Sequence, residues 1–304
     1  MRIGILGLGG VGTLIASNLL REGHQVYCFG SRNSNNHIKE KGIILKSSFY
    51  GNSHYFPKFK LAENQFIDYL FITVKGNYLL EALKDYEKFF NKNTVGILLL
   101  NGLGHKELIK ANFDLKLIIG TIGSVEVFLD ENRIAIHKSS CKPYIEIASS
   151  NREMKNNVYY LKRILENSQI NCSIFVNDNL VIWRKLIRLS IISIITSLSQ
   201  ANLGFSLQYD VTKNLISPLL QEFCAIASEL NLNFEPNKIL EKINELPCDL
   251  MTSMQRDIAL GKETEIDFLI GEPLKLGKSL GINLPVLEKC YLNLRNLIRE
   301  KSNE

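Results

Sequence analysis

A glycine-rich loop between two elements of regular structure constrains the fold more than any other part of the chain. A short apolar strand, Arg2 to Leu6, runs into the loop Gly7-Leu8-Gly9-Gly10-Val11-Gly12. A helical run from Thr13 to Arg21 follows, and a second strand covers Gln25 to Phe29. The order of strand, glycine loop, helix and strand is the one that a dinucleotide-binding α/β fold requires.

The three spaced glycines of this loop have separate expected tasks. Gly7 permits the tight turn after the strand, Gly9 lets the backbone approach phosphate groups, and Gly12 lets the helix pack closely against the strand. The N-terminus of the helix offers N–H groups and the positive end of its dipole to an anion. We therefore predict that the cofactor is bound by Gly7, Leu8, Gly9, Gly10, Val11 and Gly12. A glycine-rich turn in some other α/β protein is the alternative.

The end of the second strand predicts which dinucleotide binds. Sites for NAD usually carry Asp or Glu there to bind the ribose 2′-hydroxyl, but no acidic residue occurs between Gln25 and Lys39. Ser31 and Arg32 take this place, and a guanidinium pairs with a 2′-phosphate in a fork geometry. We predict NADP(H) rather than NAD(H), with Ser31 and Arg32 as cofactor-binding residues. The alternative is that Arg32 is a solvated loop residue.

The pattern of strands and helices predicts two domains. Continuous apolar runs at Tyr69 to Val74 and Thr94 to Leu100 are typical of strands covered on both faces in a parallel sheet. Residues 126–137 predict a hairpin, which we expect to extend that sheet together with two later strands. From about Asn179 only helical patterns follow, including one from Glu265 to Gly281.

We therefore predict an α/β fold with a Rossmann-type doubly wound sheet and a C-terminal all-helical domain. Residues 1–177 are expected to form the NADP-binding domain, and residues 178–304 the helical substrate and catalytic domain.

Charge, cysteine spacing and hydropathy argue against several other classes of protein. The net charge of +5 is small, and the basic residues are dispersed along the chain, which does not favour a nucleic-acid partner. The six cysteines lie far apart and are interpreted as buried thiols in a reducing compartment. Neither cysteines nor histidines show metal-ligand spacing, and the longest apolar stretch, Leu189 to Leu198, is too short to span a bilayer. With no signal peptide before the first strand, we expect a cytoplasmic monomer or homodimer without a metal.

Residues that follow strands are the first candidates for a reaction, because ligands of a doubly wound sheet bind beyond the carboxyl ends of its strands. Lys75 follows one apolar strand and can reach a cofactor or an anionic substrate, and Asn101 follows the next and can hydrogen-bond a carbonyl group. In the helical half, Lys185 has apolar neighbours, and a partly desolvated lysine can act as a general acid. Composition alone favours an ordinary polar helix face for Lys185, and a solvated strand end or a turn stays open for Lys75 and Asn101.

A set of short motifs occurs in order along nearly the whole chain: Gly7-x-Gly9-x-x-Gly12, Val74-Lys75, Asn101-Gly102-Leu103-Gly104, Trp183-Arg184-Lys185-Leu186, Ser253-Met254-Gln255-Arg256-Asp257, Thr264-Glu265-Ile266-Asp267 and Gly281-Ile282-Asn283-Leu284-Pro285. With these motifs the chain resembles the ketopantoate reductases, which reduce 2-dehydropantoate to pantoate with NADPH on the route to pantothenate and coenzyme A.

The resemblance implies a role for each matching residue. Lys185 would be the catalytic proton donor and touch the substrate, and Asn101 would contact both substrate and nicotinamide. Lys75 would contact the cofactor, and Ser253 would bind the substrate carboxylate. Glu265 would help to hold both ligands as a catalytic and cofactor-binding residue. The implied reaction is direct hydride transfer from NADPH to a 2-oxo acid in the cleft between the domains.

Some positions depart from the family pattern. Substrate-binding asparagines of the family lie four and eight residues after the catalytic lysine, where this chain has Leu189 and Ser193. Asn202 is matched to a third such asparagine, and a family glycine near Tyr144 is absent. Because leucine cannot hydrogen-bond a hydroxyl group, a substrate other than ketopantoate stays open. A reductase similar to β-hydroxyacid dehydrogenases and a regulator that binds NADPH without turnover are the further alternatives.

Overall fold

The computed structural model describes residues 1–123 and 125–303, and the chain forms two compact units. Unit 1 comprises Met1–Leu100 and His105–Val181, and unit 2 comprises Asn101–Gly104 and Ile182–Glu304. Within the described ranges, no helix is both long enough and apolar enough to cross a membrane.

The strands of unit 1 are β1 (Arg2–Leu6), β2 (Gln25–Phe29), β3 (Ile43–Ser47), β4 (Ser53–Tyr55), β5 (Tyr69–Ile72), β6 (Val95–Leu98), β7 (Lys116–Gly123), β8 (Val127–Leu129), β9 (Ala135–His137), β10 (Tyr144–Ala148) and β11 (Asn171–Phe175). Seven of them form the main sheet, in the order β11-β10-β7-β6-β5-β1-β2. Neighbours in this sheet are parallel except β7 and β10, which are antiparallel. β5 and β6 are buried along their whole length, as expected for continuous apolar runs.

The helices of unit 1 are α1 (Gly10–Arg21), α2 (Arg32–Lys41), α3 (Leu79–Tyr86), α4 (His105–Asn112) and α5 (Lys155–Asn167). α1 and α5 contribute buried side chains to the core of the main sheet, among them Ile15 and Leu161. α2 differs, because only Ile38 of its ten residues is buried. Its polar sequence explains why no amphipathic pattern predicted it.

The predicted hairpin forms, but it does not extend the main sheet. β8 and β9 are antiparallel, with Val127 opposite His137, and β9 pairs in parallel with β3 in a second sheet of order β4-β3-β9-β8. Leu45 of β3 and Ala135 of β9 are fully buried in a small cluster with Leu14 of α1. The second sheet therefore covers α1, and burial of this apolar cluster explains why the hairpin pairs with β3 rather than with an edge of the main sheet.

Among the residues that the structure describes, unit 2 contains helices joined by loops and no strand. Its helices are α6 (Asp178–Ser199), which begins in unit 1, α7 (Leu203–Gln208), α8 (Asp210–Glu229), α9 (Pro236–Asn244), α10 (Ser253–Ala259), α11 (Glu272–Ser279) and α12 (Pro285–Asn303). α8 contacts α7, α9, α11 and α12. The single helix expected from Glu265 to Gly281 is instead a π-helical segment, Asp267–Gly271, followed by α11. The α/β and helical units together confirm the predicted fold class.

The cysteines are all free thiols, but they are not all buried as predicted. Cys28, Cys172 and Cys290 are buried, whereas Cys141 and Cys248 are exposed. Both exposed thiols lie in loops, between β9 and β10 and between α9 and α10. The interpretation as buried thiols is therefore wrong for these two residues.

Candidate active site

The glycine loop of unit 1 joins β1 to α1 with little space around three of its glycines. A Cβ at Gly10 would lie 2.7 Å from the Val127 oxygen. Gly7 has φ +101°, and a Cβ there would lie 2.5 Å from the Val74 nitrogen. A Cβ at Gly12 would collide with the carbonyl oxygen of Gly7. At Gly9, by contrast, a Cβ would meet no atom within 4 Å. The loop is thus tightly packed on the protein side and open at Gly9.

The N-terminus of α1 lies at this open side. Gly9 precedes the helix in an extended conformation, makes no side-chain cap, and is followed by no acidic residue in the first turn. The first N–H groups of a helix have no partner within the helix itself. Together with the positive end of the helix dipole, they form a suitable site for an anion.

The end of β2 is fixed by side chains of α2 and α3. Asn35 accepts a hydrogen bond from the Gly30 nitrogen (3.0 Å) and donates one to the Gly30 oxygen (2.9 Å). The Tyr86 hydroxyl also donates to the Gly30 oxygen, at 2.5 Å. Ser31 is the N-cap of α2, where its Oγ accepts from the Ser34 nitrogen at 3.3 Å, and Arg32 is the exposed first residue of the helix. The Ser31 hydroxyl keeps its own proton for donation. Both predicted residues follow a strand end that the hydrogen bonds of Asn35 and Tyr86 hold in place.

Lys75 lies at the same edge of the main sheet as the glycine loop. It follows β5, whose Ile72 is paired with Leu6 of β1, the residue before the loop. The two strand ends are also joined by Thr73, whose Oγ1 donates to the Gly7 oxygen at 2.8 Å. Lys75 is partly buried and precedes a 3₁₀ turn at Gly76–Tyr78. In unit 1, the structure therefore brings the predicted loop, Lys75, Ser31 and Arg32 to the carboxyl ends of three neighbouring strands.

In unit 2, the structure brings Lys185 and Asn101 into direct contact. The Lys185 Nζ donates a hydrogen bond to the Asn101 Oδ1 at 2.8 Å. Lys185 lies in the second turn of α6, and Asn101 follows β6 by three residues. Both side chains are partly buried. A lysine ammonium is a positively charged group with three N–H donors, and such a group can polarise and protonate a carbonyl oxygen.

The loop Asn101–Gly104 is held in place by the π-helical segment. The Leu103 nitrogen donates to the Phe268 oxygen at 2.9 Å. Gly102 has φ +102°, and a Cβ there would lie 2.6 Å from the Phe268 Cβ. On the other side, the Ser190 hydroxyl of α6 donates to the Leu269 oxygen at 2.7 Å. The π-helical segment thus connects the Asn101 loop to the helix that carries Lys185.

Glu265 lies immediately before this segment. Its carbonyl oxygen accepts from the Phe268 nitrogen (3.1 Å) and the Leu269 nitrogen (3.0 Å), and the residue is partly buried. Asp267, two residues on, is exposed and accepts a hydrogen bond from the Tyr291 hydroxyl at 2.6 Å. Glu265 therefore begins the turn whose Phe268 contacts the Asn101–Gly104 loop, whereas Asp267 has a partner on α12.

Ser253 and Asn202 lie toward the other end of α6. Thr252, the N-cap of α10, is within hydrogen-bond distance of Thr196 (3.1 Å between Oγ1 atoms), and Ser253 follows it as an exposed residue. Thr196 is eleven residues beyond Lys185, about 16 Å along the helix axis at 1.5 Å per residue. The exposed Asn202 is the N-cap of α7, and its Oδ1 accepts from the Phe205 nitrogen at 3.0 Å. Ser253 and Asn202 therefore lie on segments beside the C-terminal half of α6, whereas Lys185 lies in its N-terminal half.

The segments that carry Ser253 and Asn202 are joined to each other. The Leu203 nitrogen donates to the Leu250 oxygen at 2.9 Å, and the Gln255 Nε2 donates to the Ala201 oxygen at 2.9 Å. Both predicted residues thus belong to one hydrogen-bonded region.

Leu189 and Ser193 follow Lys185 on the same face of α6, because residues four and eight apart are neighbours on a helix. Leu189 is partly buried, and Ser193 is 1% exposed. This stretch of the face offers hydrocarbon at Leu189 and a small buried hydroxyl at Ser193. It differs in polarity from a face that carries two carboxamides.

The residues that sequence reasoning missed are those that position the site. Ser190, Thr196 and Thr252 connect α6 to neighbouring segments through side-chain hydrogen bonds. The signal for them was a set of hydroxyl residues within an otherwise apolar helix, where an unpaired buried hydroxyl is costly. Their partners could not be identified from spacing alone.

Comparison with known proteins identifies relatives over the whole chain. Two family models match: one described as "Ketopantoate reductase PanE/ApbA" over residues 3–150, and the model of its C-terminal part over residues 178–297. A protein of Bacillus subtilis named "Uncharacterized oxidoreductase YkpB" is 26% identical over 99% of this chain and 100% of its own length. The 2-dehydropantoate 2-reductase of Salmonella typhimurium is 24% identical over 100% of this chain and 96% of its own length.

A solved structure described as the ternary structure of D-mandelate dehydrogenase with NADH and anilino(oxo)acetate has a TM-score of 0.88 at 20% identity. It covers 100% of this chain and 99% of its own chain, and at this identity it shows the fold.

The two family models place the protein in a family of oxidoreductases that act on a CH–OH group. The two family models together cover most of the chain. The protein therefore belongs to the ketopantoate reductase (PanE/ApbA) family, and the resemblance of its sequence motifs is confirmed.

Proposed function

We propose that this protein reduces 2-dehydropantoate (ketopantoate) to pantoate with NADPH, a step of pantothenate and coenzyme A biosynthesis. The observation that carries the proposal is the hydrogen bond of 2.8 Å between Lys185 Nζ and Asn101 Oδ1. It places an ammonium group beside a carboxamide, which is the chemistry that a 2-oxo acid reductase needs to polarise its substrate. Membership of the ketopantoate reductase family supports the same reaction.

The cofactor is assigned to unit 1, because the glycine loop suits it. The backbone is open at Gly9, and the N-terminus of α1 beside it has no side-chain cap. We assign the diphosphate to residues 7–12, the 2′-phosphate to Ser31 and Arg32, and a further cofactor contact to Lys75. When bound, reduced nicotinamide supplies the hydride that is added to the carbonyl carbon.

The residues of unit 2 are assigned to the substrate and to the proton. Lys185 donates a hydrogen bond to the carbonyl oxygen and gives it a proton as negative charge develops there, and water then restores the ammonium. Asn101 holds the ammonium and orients the substrate. Ser253 binds the carboxylate, and Glu265 helps to hold the ligands. Because the Oδ1 of Asn202 caps α7, its contribution to substrate binding falls to its Nδ2 group.

These assignments give the two parts of the chain different tasks. In the proposal, residues 1–177 form the NADP-binding domain, and residues 178–304 supply most of the substrate contacts and the proton donor.

A second candidate substrate, a different 2-oxo acid, is favoured by Leu189. This side chain lies one turn after Lys185 and presents hydrocarbon, which cannot pair with the hydroxyl group of ketopantoate. A solved structure of the same fold is described as a D-mandelate dehydrogenase. An aryl or branched 2-oxo acid without a hydroxyl group is therefore the competing substrate class.

The test is the loss of NADPH absorbance with a panel of ketopantoate, phenylglyoxylate and branched aliphatic 2-oxo acids. We expect the highest kcat/KM with ketopantoate. A preference of tenfold or more for an acid without the hydroxyl group, about 1.4 kcal/mol, would replace the substrate but leave the chemistry intact. Tight NADPH binding without oxidation by any member of the panel would instead indicate a regulator. Parallel assays with NADH test the cofactor, and a lower KM for NADH would overturn the NADPH assignment.

Substitution of the lysine tests the chemistry. We expect Lys185→Ala to lower kcat by about 10²–10⁴-fold, the usual contribution of a general acid. Lys213→Ala is the matched control, because Lys213 is an exposed lysine of α8 in the same unit. Full activity of the Lys185 variant would refute the proposed role.

A further inference from the structure

The turn between β8 and β9 ends in an arginine with an unusual backbone. Arg133 has φ +59°, a left-handed conformation that few residues other than glycine adopt. The turn is closed by hydrogen bonds from the Arg133 nitrogen to the Asp130 oxygen (3.0 Å) and from the Asp130 nitrogen to the Ile134 oxygen (3.0 Å). The Asp130 carboxylate accepts a further bond from the Ile134 nitrogen at 2.8 Å. The backbone from which the Arg133 side chain extends is therefore fixed.

The guanidinium of Arg133 connects the glycine loop to α2. Its Nη2 donates to the Ser34 Oγ at 2.7 Å and to the Leu8 oxygen at 3.4 Å. Both acceptors are neutral, so neither of them balances the charge of the arginine. The Nε atom is buried and has no hydrogen-bond partner among the described residues. A cation whose two acceptors carry no charge is thus positioned at the junction of the loop and the helix.

The surroundings locate this cation relative to a dinucleotide. A Cβ at Gly30, at the end of β2, would lie 2.9 Å from Leu8 Cδ1 and 3.2 Å from Ser34 Cβ. The two partners of Arg133 therefore flank the end of β2. In dinucleotide-binding folds the adenosine ribose binds at the end of this strand, whereas the diphosphate binds at the N-terminus of the first helix. Arg133 lies on the ribose side.

Arg133 is also connected to the two residues already assigned to the 2′-phosphate. Ser34, which accepts its hydrogen bond, donates its backbone N–H to Ser31. Arg32 lies in the same first turn of α2, a turn without an acidic residue. The guanidinium of Arg133 therefore lies beside the turn that carries Arg32, and two arginines from distant parts of the chain belong to one strand end, where a phosphate dianion would find complementary charge.

We propose that Arg133 is a second phosphate-binding arginine of the cofactor site and that, with Arg32, it favours NADPH over NADH. This inference rests on the proposed function only for the location of the dinucleotide, not for its turnover. Arg133 is a specificity-determining residue in this view, because a ribose without the 2′-phosphate has no group for the guanidinium to pair with. In this view the left-handed backbone of Arg133 has a function, because it directs the side chain toward the end of β2.

The test is equilibrium binding by Arg133→Met of two matched pairs of ligands: NADPH against NADH, and adenosine 2′,5′-bisphosphate against AMP. The members of each pair differ in their 2′-phosphate. We expect the Kd of both phosphorylated ligands to rise about 10- to 100-fold, as for loss of a hydrogen bond to a charged group. The Kd of NADH and AMP should change less than about threefold. Arg163→Met, at an exposed arginine of α5 in the same unit, should change none of these values.

A second variant separates a binding role from a structural one. Arg133→Gly removes the guanidinium, but glycine readily adopts the left-handed conformation of this turn, so its folding is not at risk. It should show the same selective loss as Arg133→Met. Equal losses for both members of a pair, or no loss, would overturn the inference, as would wild-type protein that binds adenosine 2′,5′-bisphosphate no better than AMP. None of these outcomes requires turnover, so they are independent of whether any 2-oxo acid is reduced.

Discussion

Replacing Gly102 with alanine perturbs the loop that holds Asn101 against Lys185. The residue has φ +102°, and an added Cβ would lie 2.6 Å from Phe268 Cβ and 2.8 Å from the Phe268 carbonyl carbon. Because the nearest atoms belong partly to backbone, the neighbour cannot move away by a simple side-chain rotation. We therefore expect the Asn101–Gly104 loop to shift.

The expected magnitude has two parts. A Cβ in a left-handed conformation costs about 1–2 kcal/mol, and overpacking of a tight contact adds about 1–3 kcal/mol. The reduced entropy of the unfolded alanine variant offsets about 0.4–1 kcal/mol of this. We expect Gly102→Ala to lower the free energy of unfolding by about 2–4 kcal/mol. A shift of Asn101 by about 1 Å can also lower kcat by about 100-fold.

Gly281→Ala is the matched control in the same unit. Gly281 also has a left-handed backbone, at φ +75°, but its added Cβ would meet no atom within 4 Å. This variant should lose only about 1 kcal/mol and keep its kcat. Urea unfolding can be followed by the fluorescence of Trp183, the one tryptophan of the chain, which is fully buried in unit 2. Equal stability and activity of the two variants would refute the argument from the Phe268 contact.

Two further predictions concern unit 1. Lys106→Met should lower its stability by about 3 kcal/mol in thermal unfolding, because it leaves the buried Asp178 carboxylate without the ammonium that lies 2.6 Å away. Lys84→Met, at an exposed pair with Glu87 in the same unit, should have no measurable effect, and equal effects of the two would contradict this reasoning. Burial lowers the pKa of His137 below its usual 6.5. Below pH 6.5 the unfolded chain therefore takes up a proton more readily than the folded protein does. The free energy of unfolding should be highest above pH 6.5 and should decline as the pH falls below it. Comparison of urea midpoints at about pH 8 and about pH 5.5 should show a smaller decline in His137→Gln than in the wild type or in the exposed control His54→Gln, and an unchanged decline would be evidence against this role of burial.

The parts of the fold that depend on local patterns could be predicted from the sequence. The glycine loop and the buried β5 and β6 have signals that lie within a few residues, namely glycine spacing and continuous apolar runs. The parallel pairing of β9 with β3 has no such signal, because it joins segments that are about 90 residues apart. The polar α2 and the π-helical turn at Asp267–Gly271 were missed for a related reason. Tertiary contacts, rather than a periodic pattern, stabilise them.

The candidate site shows the same division. Composition alone favoured a solvated Lys185, and the family resemblance predicted that Lys185 and Asn101 each touch the substrate without predicting a contact between them. Their hydrogen bond has no signal in the sequence spacing, because the two residues are 84 positions apart. Asn202 and Arg133 show what the structure adds. Asn202 stays a predicted substrate-binding residue, and the structure shows that its Oδ1 caps α7. Arg133 was overlooked as a hairpin residue.

The most direct test of the role assigned to Lys185 is a crystal structure of the protein with NADP⁺ and the 2-oxo acid that it reduces. We expect the Lys185 Nζ to lie within hydrogen-bond distance, about 2.7–3.2 Å, of the carbonyl oxygen, with Asn101 still in contact with the lysine or the substrate. A complex in which this ammonium points into solvent, or in which another side chain is the donor to that oxygen, would contradict the proposed chemistry.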